Sequence, residues 1–283
     1  MAAKAAKRKK DIKTEINDRG EVKEGKIQSI YFNECNEGPS IHLRKKSKLK
    51  TDEEGNRISS KKLGRTFYDQ PTEILAKELL GKLIYRVLDD DQVLCGRIVE
   101  TEGYLGEVDK ACHAFGGRRT ERTEAVFMAP GTAYVYFIYG MYHCLNISSQ
   151  EPGACVLIRA LEPLQGLDLM RLSRGAKRRD GGSKLKDSQL CNGPSKLCQA
   201  FCIEKGNLNK EDMTASSIFW LEDDKGFSKK DITIVTSTRI GINSYGPEWA
   251  LKPLRFYILG NKCVSVKDKK IEAELLASSQ DDI

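Results

Sequence analysis

Two carboxylates, one guanidinium and a set of aromatic side chains have the types and spacing to activate water beside a flat ligand. Glu100 and Glu102 stand two apart in RIVETEGY, a stretch that reads as a strand, so both fall on one face. Ile98 and Val99 precede them, which points to part-burial of one glutamate. A part-buried carboxylate beside a cation can serve as a general base for water. Arg159 ends the apolar run VLIR and needs such a partner. The plain alternative is a surface strand with two ordinary glutamates. Tyr104, His113 and Tyr136 could stack on both faces of a flat ring. An ordinary structural imidazole and a core strand residue are the plain alternatives for His113 and Tyr136. Asn146, between Leu145 and Ile147, is polar in an apolar strand, so it is hydrogen-bonded or guards a pocket. In a purine pocket it could accept an exocyclic amino group or refuse one by steric clash.

The stretch GTAYVYFIYGMYHCLNISS, residues 131–149, reads as two strands joined at Tyr139-Gly140-Met141. A folded protein gains little by exposing an aromatic at a hairpin tip. One physical use is to wedge it into a stack of bases. With the aromatic slot, this points to a pocket that takes a base out of a duplex and acts on it.

These residues need elements to hold them. PTEILAKELLGKLI carries apolar residues at helical spacing, with Asp69 or Thr72 as N-cap and Gly81 as its end. LIYRVL and QVLCGRIVETEGY read as strands around the acidic turn 89–91, and ACVLIRA as a buried strand. LEPLQGLDLMRLSR reads as a helix start, residues 175–188 as a mobile basic loop, and DITIVTSTRIGI and LRFYILG as late strands. Hairpin succession without β-α-β alternation predicts an α+β fold: one domain with a curved, mostly antiparallel sheet and surrounding helices. The expected layout is a disordered basic tail over 1–63, the functional domain over 64–268, and a flexible C-terminal tail over 269–283.

At 283 residues and 40% hydrophobic content, the chain can bury one sizeable core. No apolar run approaches the roughly 20 residues of a membrane helix, and the N-terminus lacks the apolar core of a secretory signal. Nine scattered cysteines fit a reducing compartment better than a disulfide framework. Cys191, Cys198 and Cys202 cluster, but no second motif completes a metal site, so no metal and no cofactor are expected. The net charge of +7 is uneven: residues 1–65 hold 18 Lys or Arg against 10 Asp or Glu. Lys7–Lys10 and Arg44–Lys48 could direct nuclear import or touch phosphates, so the nucleus is the expected location, with the mitochondrion as a second.

GRIVETEGYLG, the spaced His113, PGTAYVYFIYGMYHCLNISSQ, ACVLIRALEPLQG, NGPSKLCQA and KPLRFY together closely resemble the alkyladenine (3-methyladenine) DNA glycosylases. The resemblance covers about 63–266. It implies a monofunctional base-excision enzyme that hydrolyses the N-glycosidic bond of damaged purines, such as 3-methyladenine, hypoxanthine and ethenoadenine, and leaves an abasic site. It implies that Glu102 is the general base, that Arg159 helps hold the water, and that Tyr104 faces His113 and Tyr136 across the flipped base. It further implies that Tyr139, with Met141, enters the DNA stack. Asn146 would crowd the 2-amino group of guanine, and the backbone of His113 would sense the purine 6-position. The sequence departs from the family pattern at Gly103, Cys112 and Val126. Arg118, Arg119, Lys196 and Lys252 are the candidate phosphate contacts. The expected partner is double-stranded DNA carrying a damaged purine, met by a monomer. Two other readings remain: a hydrolase of free nucleosides or carbohydrates, and a non-catalytic nucleic-acid module with a stacking tyrosine stripe. Duplex dependence separates the first, and product formation the second.

Overall fold

The computed structural model describes residues 62–228, 230 and 232–278. The tail expected over 1–63, with both basic runs, lies almost wholly outside these residues. The described part is an α+β fold built on one eight-stranded sheet that curls into a half-barrel. Its strands are β1 (Leu83–Val87), β2 (Val93–Tyr104), β3 (Ala133–Ile138), β4 (Tyr142–Ser148), β5 (Cys155–Gln165), β6 (Phe219–Glu222), β7 (Ile234–Ser237) and β8 (Arg255–Ile258). The order is β3-β4-β5-β2-β1-β6, and β8 joins β2 to β7. Every pairing among them is antiparallel.

The twelve-residue β2 is the axis of the molecule. β5 runs along one edge of it, and β1 then β8 share the other. Its sequence, VLCGRIVETEGY, is buried on both faces for most of its length, which accounts for the lack of a simple polar alternation. The β2–β5 register is broken where chemistry-bearing residues lie. Ile98 faces Leu161, Glu100 faces Ala160 and Thr101 faces Ile158, so the ladder steps over Val99 on one strand and Arg159 on the other. A bulge of this kind re-aims side chains at a site. Both Glu100 and Glu102 therefore reach the single guanidinium of Arg159.

The helices before the last are α1 (Arg65–Tyr68), α2 (Thr72–Glu78), α3 (Leu167–Gly175), α4 (Pro194–Ala200), α5 (Lys205–Leu208) and α6 (Pro247–Ala250), and the main core fills the space between the sheet and α2, α3 and α4. Helix α2 presents Leu75, Ala76 and Leu79 to β2, and the Thr101 hydroxyl donates to the Ala76 carbonyl at 2.8 Å. Its start differs from expectation. Pro71 takes the cap position, and the carboxylate of Glu151, from the β4–β5 turn, accepts from the Thr72 N–H at 3.0 and 3.1 Å. A smaller cluster of Cys112, Ala114, Ala125, Val126, Tyr134 and Cys155 packs beneath the loop that follows β2.

Two further expectations change. LEPLQ continues β5 instead of starting a helix, because Gly166, at φ +81°, turns the chain only after Gln165. A Cβ at Gly166 would come 2.4 Å from Leu94. The segment expected to be a flexible tail from 269 is instead a helix, α7 (Lys269–Ser278). Ile271 and Leu275, one turn apart, pack against the core. Asp268 anchors its start, accepting from the Ile271 N–H at 3.3 Å and the Ser237 hydroxyl at 2.6 Å. Strand β6 carried no recognised signal; its pairing with β1 creates it.

The loop after β2 turns on Gly106, at φ +70°, where a Cβ would lie 2.4 Å from the Pro152 carbonyl oxygen and 2.9 Å from the Ala154 nitrogen. Neither backbone atom can move cheaply. Gly106→Ala is expected to lower unfolding free energy in urea by about 1–3 kcal/mol. A loss below about 0.5 kcal/mol would show that the loop relaxes freely.

Candidate active site

A cavity of about 380 Å³ opens between the β3–β4 hairpin, the loop after β2 and the segment 240–245. That size suits one heterocycle with part of its attached group. Tyr104, His113, Tyr136, Asn146 and Arg159 all line it, and Tyr139 stands at its rim.

Glu102 does not itself line the cavity. It lies directly behind three residues that do, with its side chain fully buried. The Ile240 N–H donates to Oε1 at 2.7 Å and the Tyr104 hydroxyl to Oε2 at 3.0 Å. Arg159 Nη1 lies 3.2 Å from Oε1. Each carboxylate oxygen has two acceptor positions, so capacity for a water remains. Burial pushes the Glu102 carboxyl above its ordinary value, against the opposing pull of Arg159, the Ile240 N–H and the Tyr104 hydroxyl. Burial, then the Glu102 charge, pushes the Tyr104 hydroxyl well up, so it stays a proton donor. Arg159 loses hydration, yet Glu102 and Glu100 hold it firmly charged.

Glu100 is equally buried but fully engaged elsewhere. It accepts from Arg159 Nε at 3.2 Å, Arg255 Nη1 at 3.0 Å and the Ser265 N–H at 2.6 Å. The two glutamates thus divide: Glu100 anchors the cations, and Glu102 faces the cavity wall.

On one side of the cavity Tyr104 is backed by Arg239, whose guanidinium lies 4.8 Å from the ring centroid. On the other, His113 and Tyr136 meet edge to face, 4.7 Å between centroids at 85°. His113 Nδ1 lies 2.9 Å from the Tyr134 hydroxyl, and Nε2 lies 3.3 Å from Arg122 Nη2. A guanidinium only donates, so Nε2 accepts and Nδ1 carries the proton. Burial, then the Arg122 charge, lowers the His113 pKa to about 4. The imidazole is therefore neutral at physiological pH. Asn146 is fixed at the cavity floor, donating from Nδ2 to the Tyr134 carbonyl at 3.1 Å and facing the Cys155 thiol through Oδ1 at 3.8 Å.

Tyr139 and Gly140 both have positive φ, +54° and +67°, and form the two central residues of the hairpin turn. That conformation costs a tyrosine on the order of 1 kcal/mol. Tyr139 is 81% exposed, and Met141 beside it is 56% exposed. The four candidate phosphate contacts are outside the cavity lining. Arg119 is paired with Glu124 at 2.7 Å, Lys252 lies 4.7 Å over Trp249, and Lys196 donates to Asn192 Oδ1 at 2.9 Å. Arg118 is exposed.

The sequence reading missed Arg239, Arg255, Arg122 and the segment 240–245. Arg239 is fully buried, bonded to both Asp109 oxygens at 2.5 and 3.1 Å and to the Gly103 carbonyl at 3.1 Å. Its signal was weaker than that of Arg159, since Ser237 and Thr238 precede it and only Ile240 and Ile242 are apolar neighbours in STRIGI. Among the described residues no group of three or more metal-ligating side chains converges.

The family model of methylpurine-DNA glycosylases matches residues 66–262. The chain belongs to the methylpurine-DNA glycosylase family. It is 51% identical over 214 residues to a mouse DNA-3-methyladenine glycosylase, covering 75% of this chain and 64% of the mouse protein. It is 49% identical over 255 residues to a human DNA-3-methyladenine glycosylase, covering 89% and 77%. A Clostridium perfringens (strain 13) relative, described as a putative 3-methyladenine DNA glycosylase, is 48% identical over 208 residues, covering 73% of this chain and all of its own length. Membership places the chain among DNA glycosylases, hydrolases of N-glycosyl bonds that serve DNA repair.

The geometry around His113 predicts that NMR will find it neutral, as the Nδ1–H tautomer, and titrating near pH 4. Its folded pKa lies below the ordinary 6.5, so the stability it contributes is full above 6.5 and lost as pH falls toward 4. A midpoint near 6.5 would contradict both the burial and the Arg122 contact.

Proposed function

We propose that this chain is a monofunctional DNA glycosylase that flips damaged purines from duplex DNA and cleaves their N-glycosidic bond with a water activated by Glu102. The observation that carries the proposal is the setting of Glu102. A buried carboxylate with a raised pKa is held by Ile240, Tyr104 and Arg159, and all three line a cavity walled by aromatic rings.

Cleavage of a purine nucleoside bond is dissociative, so positive charge develops on the sugar. Glu102 orients and deprotonates water beneath that sugar, and its negative charge stabilises the developing cation. Arg159 keeps the carboxylate anionic and helps position the water. Tyr104 on one side, with His113 and Tyr136 on the other, stacks the extruded base. The backbone of His113 addresses the purine 6-position. Asn146, pinned by the Tyr134 carbonyl, crowds the 2-amino group of guanine. Tyr139, held exposed in a costly backbone conformation, fills the gap in the stack, with Met141 beside it. No lysine lines the cavity among the described residues, which supports simple hydrolysis over a Schiff-base route.

The proposed substrates are alkylated or deaminated purines, with 3-methyladenine, hypoxanthine and ethenoadenine as cases. Such bases cost less to extrude than the few kcal/mol of a normal pair. The enzyme acts as a monomer in the nucleus, with the mitochondrion as a second location, and Arg118, Arg119, Lys196 and Lys252 take the phosphates. A free-nucleoside hydrolase would have no use for the exposed Tyr139, and a mere binding module no use for the buried, desolvated Glu102.

The test is incubation, without added metal, with a duplex carrying one hypoxanthine or one ethenoadenine, followed by hot alkali. Wild type is expected to give strand cleavage at the lesion, and Glu102→Gln to bind the lesion without cleavage. Excision by Glu102→Gln at the wild-type rate would remove Glu102 as base. Tight lesion binding by wild type with no abasic site would favour the binding module.

A further inference from the structure

Arg122 stands just outside the cavity, against two residues of its wall. It donates toward His113 Nε2 at 3.3 Å, and its guanidinium carbon lies 5.4 Å from the Tyr136 ring centroid. Its charge also acts on the Tyr134 hydroxyl, pulling against the upward push of burial there. It does not line the cavity, so its charge sits behind the His113–Tyr136 wall.

That charge is uncompensated. Arg122 makes no ion pair among the described residues. Its flanking acids are taken: Glu121 lies 3.9 Å from Lys205, and Glu124 lies 2.7 Å from Arg119. The facing wall is different. There the cation behind Tyr104 is Arg239, neutralised by both oxygens of Asp109. The slot therefore has one electrically balanced side and one side backed by a free positive charge.

We propose that Arg122 is a specificity-determining residue, its charge behind the His113–Tyr136 wall biasing the cavity toward neutral damaged purines and against cationic ones. The proposal rests on the reading that the cavity takes a flipped purine between Tyr104 and Tyr136. An aromatic ring attracts a cation through the negative potential of its face. A cation already over Tyr136 draws on that potential, so the ring offers less to a cationic base. The two positive charges also repel across the ring, through a medium of lower dielectric than water. A neutral base such as hypoxanthine loses nothing by either route. The neutral imidazole of His113 adds no charge of its own to that wall.

The test compares excision of 7-methylguanine, whose alkylated imidazole ring carries positive charge, with that of hypoxanthine, as second-order single-turnover rate constants measured below saturating enzyme, so that binding and flipping enter the rate. It uses the wild type, Arg122→Gln and Arg122→Lys near neutral pH and at fixed ionic strength. Gln keeps an N–H donor for His113 Nε2 and removes the charge; Lys keeps the charge and changes the shape. Arg122→Gln is expected to raise the 7-methylguanine to hypoxanthine rate ratio about threefold or more, and Arg122→Lys to leave it within about twofold of wild type. Any standing disadvantage of guanine at Asn146 is common to all three proteins and cancels in the comparison. An unchanged ratio in Arg122→Gln, with both lesions still excised, overturns the proposal. So does a fall of both rates together, which would make Arg122 a phosphate contact, or an equal change in Arg122→Lys. Failure of wild type to excise either lesion overturns the glycosylase reading itself, and the proposal with it.

Discussion

Two buried carboxylates share one buried guanidinium, and the architecture is arranged so that they can. Arg159 lies 3.2 Å from both Glu100 and Glu102, inside a sheet whose neighbouring positions are apolar. Any of the three alone would be a costly buried charge. Arg255, 3.0 Å from Glu100, brings the cluster to two negative and two positive groups. Buried ion clusters seldom maximise stability, since well-packed apolar residues often do as well. Their presence at the wall of a cavity, with one carboxylate shifted upward, is the pattern of a site tuned for proton transfer. The offset in the β2–β5 ladder follows from the same demand. Stepping over Val99 and Arg159 frees the Arg159 side chain to lie between the two glutamates.

The segment that follows β7 extends the constraint outward. Its Arg239 clamps Asp109 and backs Tyr104, and its Ile240 N–H fixes Glu102. One stretch of chain therefore positions Glu102, the Tyr104 ring and one rim of the cavity. The opposite rim is the β3–β4 hairpin, which carries Tyr136 and Asn146 inward and Tyr139 outward in a left-handed turn. Strand alternation does the sorting: Tyr134, Tyr136 and Ile138 face the cavity, while Val135 turns to the main core. Rigid elements thus hold the slot open.

The parts legible in the sequence were those fixed by short-range rules. Period-two spacing placed Glu100 with Glu102 on one face, and β-propensity with Gly140 gave the hairpin. What escaped was set by partners far along the chain. Nothing local marks Glu100 as the anchor and Glu102 as the free acceptor; Arg255 and Ser265 decide that from more than 150 residues away. Strand β6 exists because β1 offers it an edge, and α7 because Ile271 and Leu275 find the core. Gly166 hid the end of β5, since a glycine before an amphipathic run reads equally well inside a loop. Nothing in the sequence sets Arg122 apart from its basic neighbours, and only the fold brings it against His113 and Tyr136.

The proposed role of Glu102, made more basic by burial, is to take the proton from water during excision. The most direct measurement is the pH dependence of single-turnover hypoxanthine excision from a duplex. The rate is expected to fall as acid protonates Glu102, with the midpoint of that limb above the ordinary carboxylate value of 4.5. A rate that stays constant as pH falls to that value would contradict it.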